Sequence, residues 1–286
     1  MLNVDEFESV FRAAAKERFR FAPPEVETLL VVTDLEGEEQ DTFLEATRLL
    51  LEPLTEGKEM TWDVRGAGAW EGVEGVLGLV DEVQPDLVVA YRNLRSDAWK
   101  YSYSLGVYLN ALTRATPLPV FVTPHPLAFP ALGWKDSRTD SVMVINDALT
   151  GDDALVNWGC SLTRPGGTLH LTHVEHDEIF DRYIGAIAKV PEIDTETARE
   201  RLMEQLLREP KEYIESAASA LADAGVRVDV ESHVFRGHRV SDYRLIAEQH
   251  DVDVLVFPSL EEDRLALHGV AYSLAVELVT TPLLMI

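Results

Sequence analysis

The chain has 286 residues and a formal net charge of −25, from 50 acidic and 25 basic side chains. A surface this acidic repels nucleic acid and anionic membranes, which excludes nucleic-acid-binding and membrane-surface proteins as classes. The length fits two domains of ordinary size, and the single Cys160 cannot form an intramolecular disulfide bond.

Two further features concern the compartment and the source of the chain. Acidic residues stand at Asp5, Glu6 and Glu8, where a signal peptide would be apolar, and no apolar run approaches the ~20 residues of a membrane helix. We therefore expect a cytoplasmic protein. An excess of acidic residues, with arginine preferred to lysine, is typical of halophilic proteins, and an ordinary acidic cytosolic protein is the alternative.

The first half of the chain reads as strands alternating with helices. An amphipathic helix is predicted over residues 1–22, within an arm of residues 1–25 that packs on the domains or serves as a dimer handle. The first domain is predicted over residues 26–124, and a proline-rich linker over 125–138. Strands are predicted at 28–34, 60–65, 86–91 and 119–123, with helices at 41–54, at 73–83 and from Gly106 onwards.

The second domain is predicted over residues 139–286. After its second strand comes a long helical stretch that Pro191 and Pro210 are predicted to break. The valines of residues 226–230 alternate with polar residues, which predicts a strand at a sheet edge with one face in water. The other strands are predicted at 141–147, 168–174, 252–257 and 282–286, with helices at 152–162, at 241–249 and from Gly269 onwards.

The two halves repeat the same order of features. The spacing from glycine to proline is thirteen positions in both, at Gly106–Pro119 and at Gly269–Pro282, and an Arg-Gly pair recurs upstream at Arg65–Gly66 and Arg236–Gly237. Repetition of this kind indicates a duplicated domain. The chain is therefore predicted to be α/β, with two doubly wound parallel-sheet domains in tandem, the first abbreviated by one strand–helix pair.

These features together resemble the universal stress protein family. In the second half the resemblance lies in the segments 142–147, 169–174 and 230–237, the strand at 253–257 and the Gly269–Val270 pair before the last strand. It covers residues 139–286 well and 26–124 more weakly. The resemblance implies a Rossmann-like domain of the adenine nucleotide alpha hydrolase-like type, present twice, and a role in the stress response.

Nucleotide-binding members of the family carry a Gly-x2-Gly-x9-Gly-Ser/Thr loop after the fourth strand, whose backbone N–H groups approach phosphate. Here the loop reads Pro258 to Asp263 without glycine, with three consecutive acids, and Val270 stands at the hydroxyl position. We therefore expect no cofactor, with ATP or AMP as the alternative. In the first half Arg92 and Arg95 could still attract an anion.

By the resemblance, a nucleotide or small anionic ligand would occupy the carboxyl edge of the second sheet. The cleft residues implied are Asp147, Val174, Arg236, Gly237, Ser259, Gly269 and Val270.

Histidines are the remaining candidates for chemistry. His170, His173 and His176 are spaced by three, so they do not converge from one strand, while His233 and His238 are predicted near the end of the third strand. Together with Asp147 and Arg236, the histidines 173, 176 and 238 would gather at the carboxyl edge, where a metal or acid–base site is conceivable. Ordinary loop histidines are the simpler interpretation, and no metal site is predicted.

The sequence therefore predicts a tandem universal stress protein that acts as a non-catalytic stress-response or regulatory module, through its surfaces rather than through catalysis. A nucleotide- or anion-sensing protein is one alternative, and a hydrolase at the same edge is another, although no nucleophile–base pair is recognisable. The last strands, 119–123 and 282–286, are predicted to pair within the chain as a pseudo-dimer, with a homodimer as the alternative. No protein partner is specified by these residues.

Overall fold

The structure is a computed structural model that describes residues 17–100, 104–127, 138–146, 149–259 and 269–286. Within these ranges, strands and helices alternate as the sequence predicts. The strands are β1 (Thr28–Val32), β2 (Thr61–Arg65), β3 (Leu87–Tyr91), β4 (Val120–Thr123), β5 (Ser141–Ile145), β6 (Thr168–His176), β7 (Asp229–Gly237), β8 (Val254–Phe257) and β9 (Leu283–Met285). The α-helices are α1 (Gly37–Leu50), α2 (Glu52–Thr55), α3 (Gly72–Val83), α4 (Val107–Ala115), α5 (Asp153–Leu162), α6 (Asp177–Ile187), α7 (Thr195–Asp223), α8 (Arg239–Gln249) and α9 (Gly269–Glu277).

All these strands belong to one sheet of nine strands in the order β2-β1-β3-β4-β9-β8-β5-β6-β7. The pairing is parallel within the first four strands and within the last five, and β4 pairs with β9 in the antiparallel direction. The α/β class, the parallel half-sheets and the shorter first half are therefore confirmed. The predicted pairing of the two last strands is also confirmed, and it makes the two half-sheets continuous.

The central strands are buried on both faces, which explains their uninterrupted apolar sequences. Residues 29–32 of β1 and all of β4 are buried, whereas β2 and β7 are only partly buried at the two ends of the sheet. An edge strand is therefore present as predicted, but it begins at Asp229, so Val230 lies on it while Val226 and Val228 precede it. The two β-strands that meet between the halves expose no edge, because each covers the other.

Helix α7 runs without interruption from Thr195 to Asp223, so the predicted break at Pro210 is wrong. Proline removes one backbone donor, but the turns after it bury Tyr213, Ile214 and Ala217 against the core, and this packing holds the helix together. No helix in the described ranges, this long one included, has an apolar stretch sufficient to cross a membrane.

The amino-terminal arm differs from its prediction over residues 17–22, which are extended rather than helical; residues 1–16 lie outside the described ranges. Phe19 is buried against Tyr213 of α7, with their ring centroids 6.3 Å apart. The backbone N–H of Ala22 donates to the side chain of Asn157 on α5 at 3.0 Å. These contacts explain the extended backbone, and they bear out an arm that packs on a domain, here the second.

Candidate functional site

Strands β6, β7 and β8 all end at one edge of the second half-sheet, where ligands bind in doubly wound folds. The parallel register aligns Val174 with Phe235 and His176 with Gly237, so β6 and β7 end together. Ser259 follows β8, is buried, and donates its backbone N–H to the carbonyl of Ile286 at 2.6 Å.

The predicted cleft residues fall into three groups in the structure. Val174, Arg236, Gly237 and Ser259 lie at the carboxyl edge, as just described. Gly269 and Val270 are the first two residues of α9. Asp147 lies outside the described residues, as does the loop of residues 260–268.

Arg236 is occupied by carboxylates of the chain itself. Its guanidinium donates to Asp177 through Nε and to Oδ1 of Asp181 at 3.0 Å, and it stacks 4.8 Å from the ring centre of Phe180. Two carboxylates therefore contact Arg236, the one cation among the predicted cleft residues. Asp177 also opens α6, where the helix dipole favours negative charge.

The backbone of Val174 is likewise engaged by the chain. Its N–H donates to the hydroxyl of Tyr243 at 3.3 Å, and its carbonyl accepts from Nε of Arg239 at 3.0 Å. Both partners come from α8, which covers this part of β6. The polar groups at this position are thus satisfied by side chains rather than directed at a free cleft.

Histidines meet at the same edge, but not in a catalytic arrangement. His176 ends β6 instead of lying in the loop beyond it, and its ring centroid is 6.3 Å from that of His238. His238 Nδ1 lies 3.4 Å from Oδ2 of Asp177, while buried His173 places Nε2 3.7 Å from Oε2 of Glu175. The partners of these two rings, among the described residues, are the backbone N–H of Glu178 for His176 and the carboxylate of Asp177 for His238, and neither is a nucleophile.

At the carboxyl edge of the first half-sheet, Arg92 makes a structural contact with the second half. Its side chain is buried and donates to the backbone carbonyls of Ala275 and Leu278, the latter at 2.8 Å. These carbonyls lie at the end of α9, where the helix dipole favours a cation. Burial lowers the pKa of Arg92 to about 10, so the side chain is still charged at neutral pH. Arg92 therefore connects the first half-sheet to a helix of the second.

The rest of the first edge is also filled by its own side chains. The hydroxyl of Tyr91 donates to the carboxylate of Asp34 and accepts the backbone N–H of the same residue at 3.0 Å. Burial, reinforced by Asp34, raises the pKa of Tyr91. Arg95 donates to the carbonyl of Trp70 at 2.8 Å and lies 4.1 Å from the centre of its ring.

A groove of about 700 Å³ is lined by α8, by the segment before β8 and by the segment that joins α9 to β9. Leu50 and Pro124 of the first half and Arg138 also line it. Arg244 and Glu277 form an ion pair there at 3.2 Å.

A cluster of side chains at the amino ends of β6 and β7 was missed by the sequence analysis. His170, Glu231, His233 and His250 present ligand atoms that all lie within 4.8 Å of one another. The sequence placed His233 near the end of its strand, but it lies mid-strand opposite Thr172. Alternation along β7 could have put Glu231 and His233 on one face, although their register with β6 could not be read.

The fold is similar to those of solved universal stress proteins. A universal stress protein from Pseudomonas aeruginosa UCBPP-PA14 superposes with a TM-score of 0.53 at 13% identity, over 91% of this chain and 93% of that one. A functionally unknown protein from Pseudomonas aeruginosa PAO1 gives a TM-score of 0.50 at 12% identity, over 91% and 92%. The chain has the universal stress protein fold. A universal stress protein from Archaeoglobus fulgidus DSM 4304 is also similar, with a TM-score of 0.49 at 15% identity over 90% and 95%.

No protein-family profile and no curated protein matches the chain. The universal stress protein fold is thus shared at low identity, and function has to be argued from this chain's own side chains.

Proposed function

We propose that the chain is a tandem universal stress protein that acts as a non-catalytic, regulatory module in the stress response and does not bind ATP in the family's manner. The observation that carries this proposal is the pairing of Arg236 with Asp177 and Asp181. The cation at the second edge is already neutralised, and Arg92 at the first edge is buried against carbonyl groups.

The sequence of the loop after β8 supports the same conclusion. In nucleotide-binding members of the family this loop lines the phosphates, and here it contains Glu261, Glu262 and Asp263 but no glycine. A carboxylate held ~4 Å from a phosphate charge costs about 1 kcal/mol in bulk water and more in a cleft. Three such charges weaken binding by roughly 3 kcal/mol, which is more than a hundredfold in affinity.

The continuity of the sheet supports a module made of both halves. The antiparallel pairing of β4 with β9 buries both last strands, as the interface of a dimer of single domains would. Arg92 adds a further contact between the halves, and the arm at Phe19 packs on the second half. We propose that this intramolecular pseudo-dimer is the functional unit, and that it acts through surfaces offered to a protein partner.

Calorimetric titration of the full chain with ATP and with AMP tests the nucleotide part of the proposal. We expect no binding in the micromolar range by the unmodified protein. A variant with Glu261→Gly, Glu262→Ser, Asp263→Gly and Val270→Ser should gain measurable affinity, because it restores glycine and a hydroxyl and removes three negative charges.

A control variant separates the loop from the overall charge. Substituting Glu36→Gln, Glu38→Gln and Glu39→Gln removes three exposed acids from the start of α1 in the first half. This control should leave ATP binding absent. Micromolar ATP binding by the unmodified chain would overturn the proposal and favour the nucleotide-sensing alternative, for which Arg236→Gln would then be the first substitution to test.

A further inference from the structure

Four potential metal ligands from three elements converge at the amino end of the second half-sheet, far along the strands from the carboxyl edge. His170 is the third residue of β6, and the register sets it opposite Glu231 of β7. His233 follows two residues later on β7, on the same face. His250 comes directly after α8, whose end brings its ring centroid to 4.6 Å from that of His170.

Four of the six separations between these ligand atoms lie between 3.0 and 3.8 Å, and all six are within 4.8 Å. Nδ1 of His170 lies 3.0 Å from Nε2 of His233. Oε2 of Glu231 lies 3.4 Å from His170 Nδ1, 3.8 Å from His233 Nε2 and 3.7 Å from His250 Nδ1. Four ligands placed tetrahedrally at zinc distances would be separated by about 3.3–3.4 Å, so small rotations of the side chains suffice to reach that geometry.

Ser141 orients the innermost ligand. Its hydroxyl donates to the carbonyl of His250 at 3.0 Å, and its oxygen lies 3.2 Å from Nε2 of His170. With its proton committed to the carbonyl, this oxygen can only accept from His170, which places the ring proton on Nε2. The lone pair on Nδ1 then faces the other three ligands. A second hydrogen bond that fixes the tautomer is the usual support of a metal-binding histidine.

The burial and charge of the cluster also suit a cation. The side chain of His170 is 3% exposed, whereas that of Glu231 is 49% exposed and leaves a route from solvent. The cluster brings the carboxylate of Glu231 together with three imidazoles.

A simple hydrogen bond between two imidazoles explains less of the geometry. It would account for the close approach of His170 to His233. It would not account for the carboxylate of Glu231 and the ring of His250, which both face the same point from different elements.

We propose that His170, Glu231, His233 and His250 form a binding site for a divalent transition-metal ion of the Zn²⁺ class. Three imidazoles and one carboxylate are ligands that suit Zn²⁺ and Co²⁺ better than Mg²⁺ or Ca²⁺. With four protein ligands the site is of the closed, structural type, so the ion would tie β6 and β7 to the end of α8. This site is independent of the nucleotide question and extends beyond the proposed function.

The test uses the full chain without a histidine tag, stripped with chelator and titrated with Zn²⁺ and separately with Co²⁺. We expect one tight equivalent of Zn²⁺, a rise in the thermal midpoint on loading, and the intense visible absorption of tetrahedral Co²⁺. Mg²⁺ should neither bind tightly nor raise the thermal midpoint. Failure of both Zn²⁺ and Co²⁺ to bind at micromolar concentrations would overturn the proposal.

Variants distinguish this site from scattered binding to an acidic surface. His233→Gln should weaken Zn²⁺ binding at least 100-fold, and Ser141→Ala should weaken it 10- to 100-fold through loss of orientation. His238→Gln is the matched control, since its exposed ring lies at the opposite edge of the sheet. Circular dichroism without metal checks that each variant folds. Equal Zn²⁺ affinity in His233→Gln and His238→Gln would also overturn the proposal.

Discussion

The seam between the halves is the pairing of β4 with β9, and the structure shows which residues of β4 direct their backbone groups at β9. The carbonyl of Pro119, just before β4, accepts from Val88 on β3, and that of Thr123 accepts from Arg92, just after β3. Odd-numbered residues in and beside β4 therefore direct their backbone groups at β3. Bonding alternates along a strand, and Val120 therefore points its N–H at β9, where its partner is Met285. Val88 on β3 donates to Pro119 at 3.0 Å and lies wholly within the first half.

Val120→Pro should uncouple the halves. Proline deletes the N–H that faces Met285, leaves a buried carbonyl unpaired at about 1–3 kcal/mol, and adds the clash of its ring. We expect a total loss of about 3–5 kcal/mol, a large part of the 5–15 kcal/mol that folded domains typically have. Because the loss falls on the seam, the halves should separate before either unfolds.

Calorimetry and limited proteolysis measure this separation. Val120→Pro should split the single unfolding transition and speed cleavage within residues 125–138, at temperatures where far-UV circular dichroism is unchanged. Val88→Pro is the matched control, since Val88 is equally buried and also loses a strand hydrogen bond, but one inside the first half. If Val120→Pro and Val88→Pro give the same transition and the same cleavage rate, the argument that β4–β9 pairing couples the halves is refuted.

Two further predictions concern the core and the pH dependence. Gly159→Ala should destabilise the fold by about 1–3 kcal/mol, because an added Cβ would collide with Cγ2 of Val144. Gly78→Ala in α3 has open space around it and should stabilise the fold by about 0.5–1 kcal/mol. The urea unfolding midpoints of the two variants should therefore move in opposite directions from that of the wild type. Burial lowers the pKa of His125 from 6.5 to about 4, so the unfolded chain takes up a proton that the native state refuses, and stability should fall as the pH drops from about 6.5 towards 4. Between pH 7 and pH 4 this proton uptake should lower the free energy of unfolding of the wild type by about 3 kcal/mol. In His125→Gln, urea unfolding at the two pH values should show a decrease smaller by that amount. An equal decrease in both proteins would contradict the prediction.

The positions of the central strands along the chain could be predicted because each is buried on both faces and therefore reads as an unbroken apolar run. Residues 86–91 and 252–257 show this, and both contain a strand at the predicted place. The seam also followed from the sequence, since two apolar last strands need cover. The antiparallel direction of that pairing, however, is a property of how the two halves meet and is not written in either strand.

The positions and contacts of individual side chains were harder to predict, because they depend on residues that lie far away in the sequence. Arginine is usually exposed, and Arg92 is buried only because the end of α9, which lies far along the chain, supplies carbonyls to it. The arm around Phe19 has helical spacing, yet contacts with α5 and α7 hold its described part extended. In both places a tertiary contact outweighs the local preference.

The corner occupied by the proposed metal site differs between the two half-sheets. In the register with the first strand of each half, His170 stands where Asp63 stands in β2, since Met143 pairs with His170 and Leu30 pairs with Asp63. Asp63 is bound to Arg65 at 2.6 Å, so the first half fills this corner with an ion pair.

The two ligands on β7 have no equivalent in the described part of the first half. Glu231 and His233 lie on β7, and the first half ends its sheet at β2 without a further strand. The strand that the first half lacks is thus the one that supplies half of the proposed ligands. Among the described residues, the proposed four-ligand site is therefore found in the second half-sheet, which pairs with the first through β9 and β4.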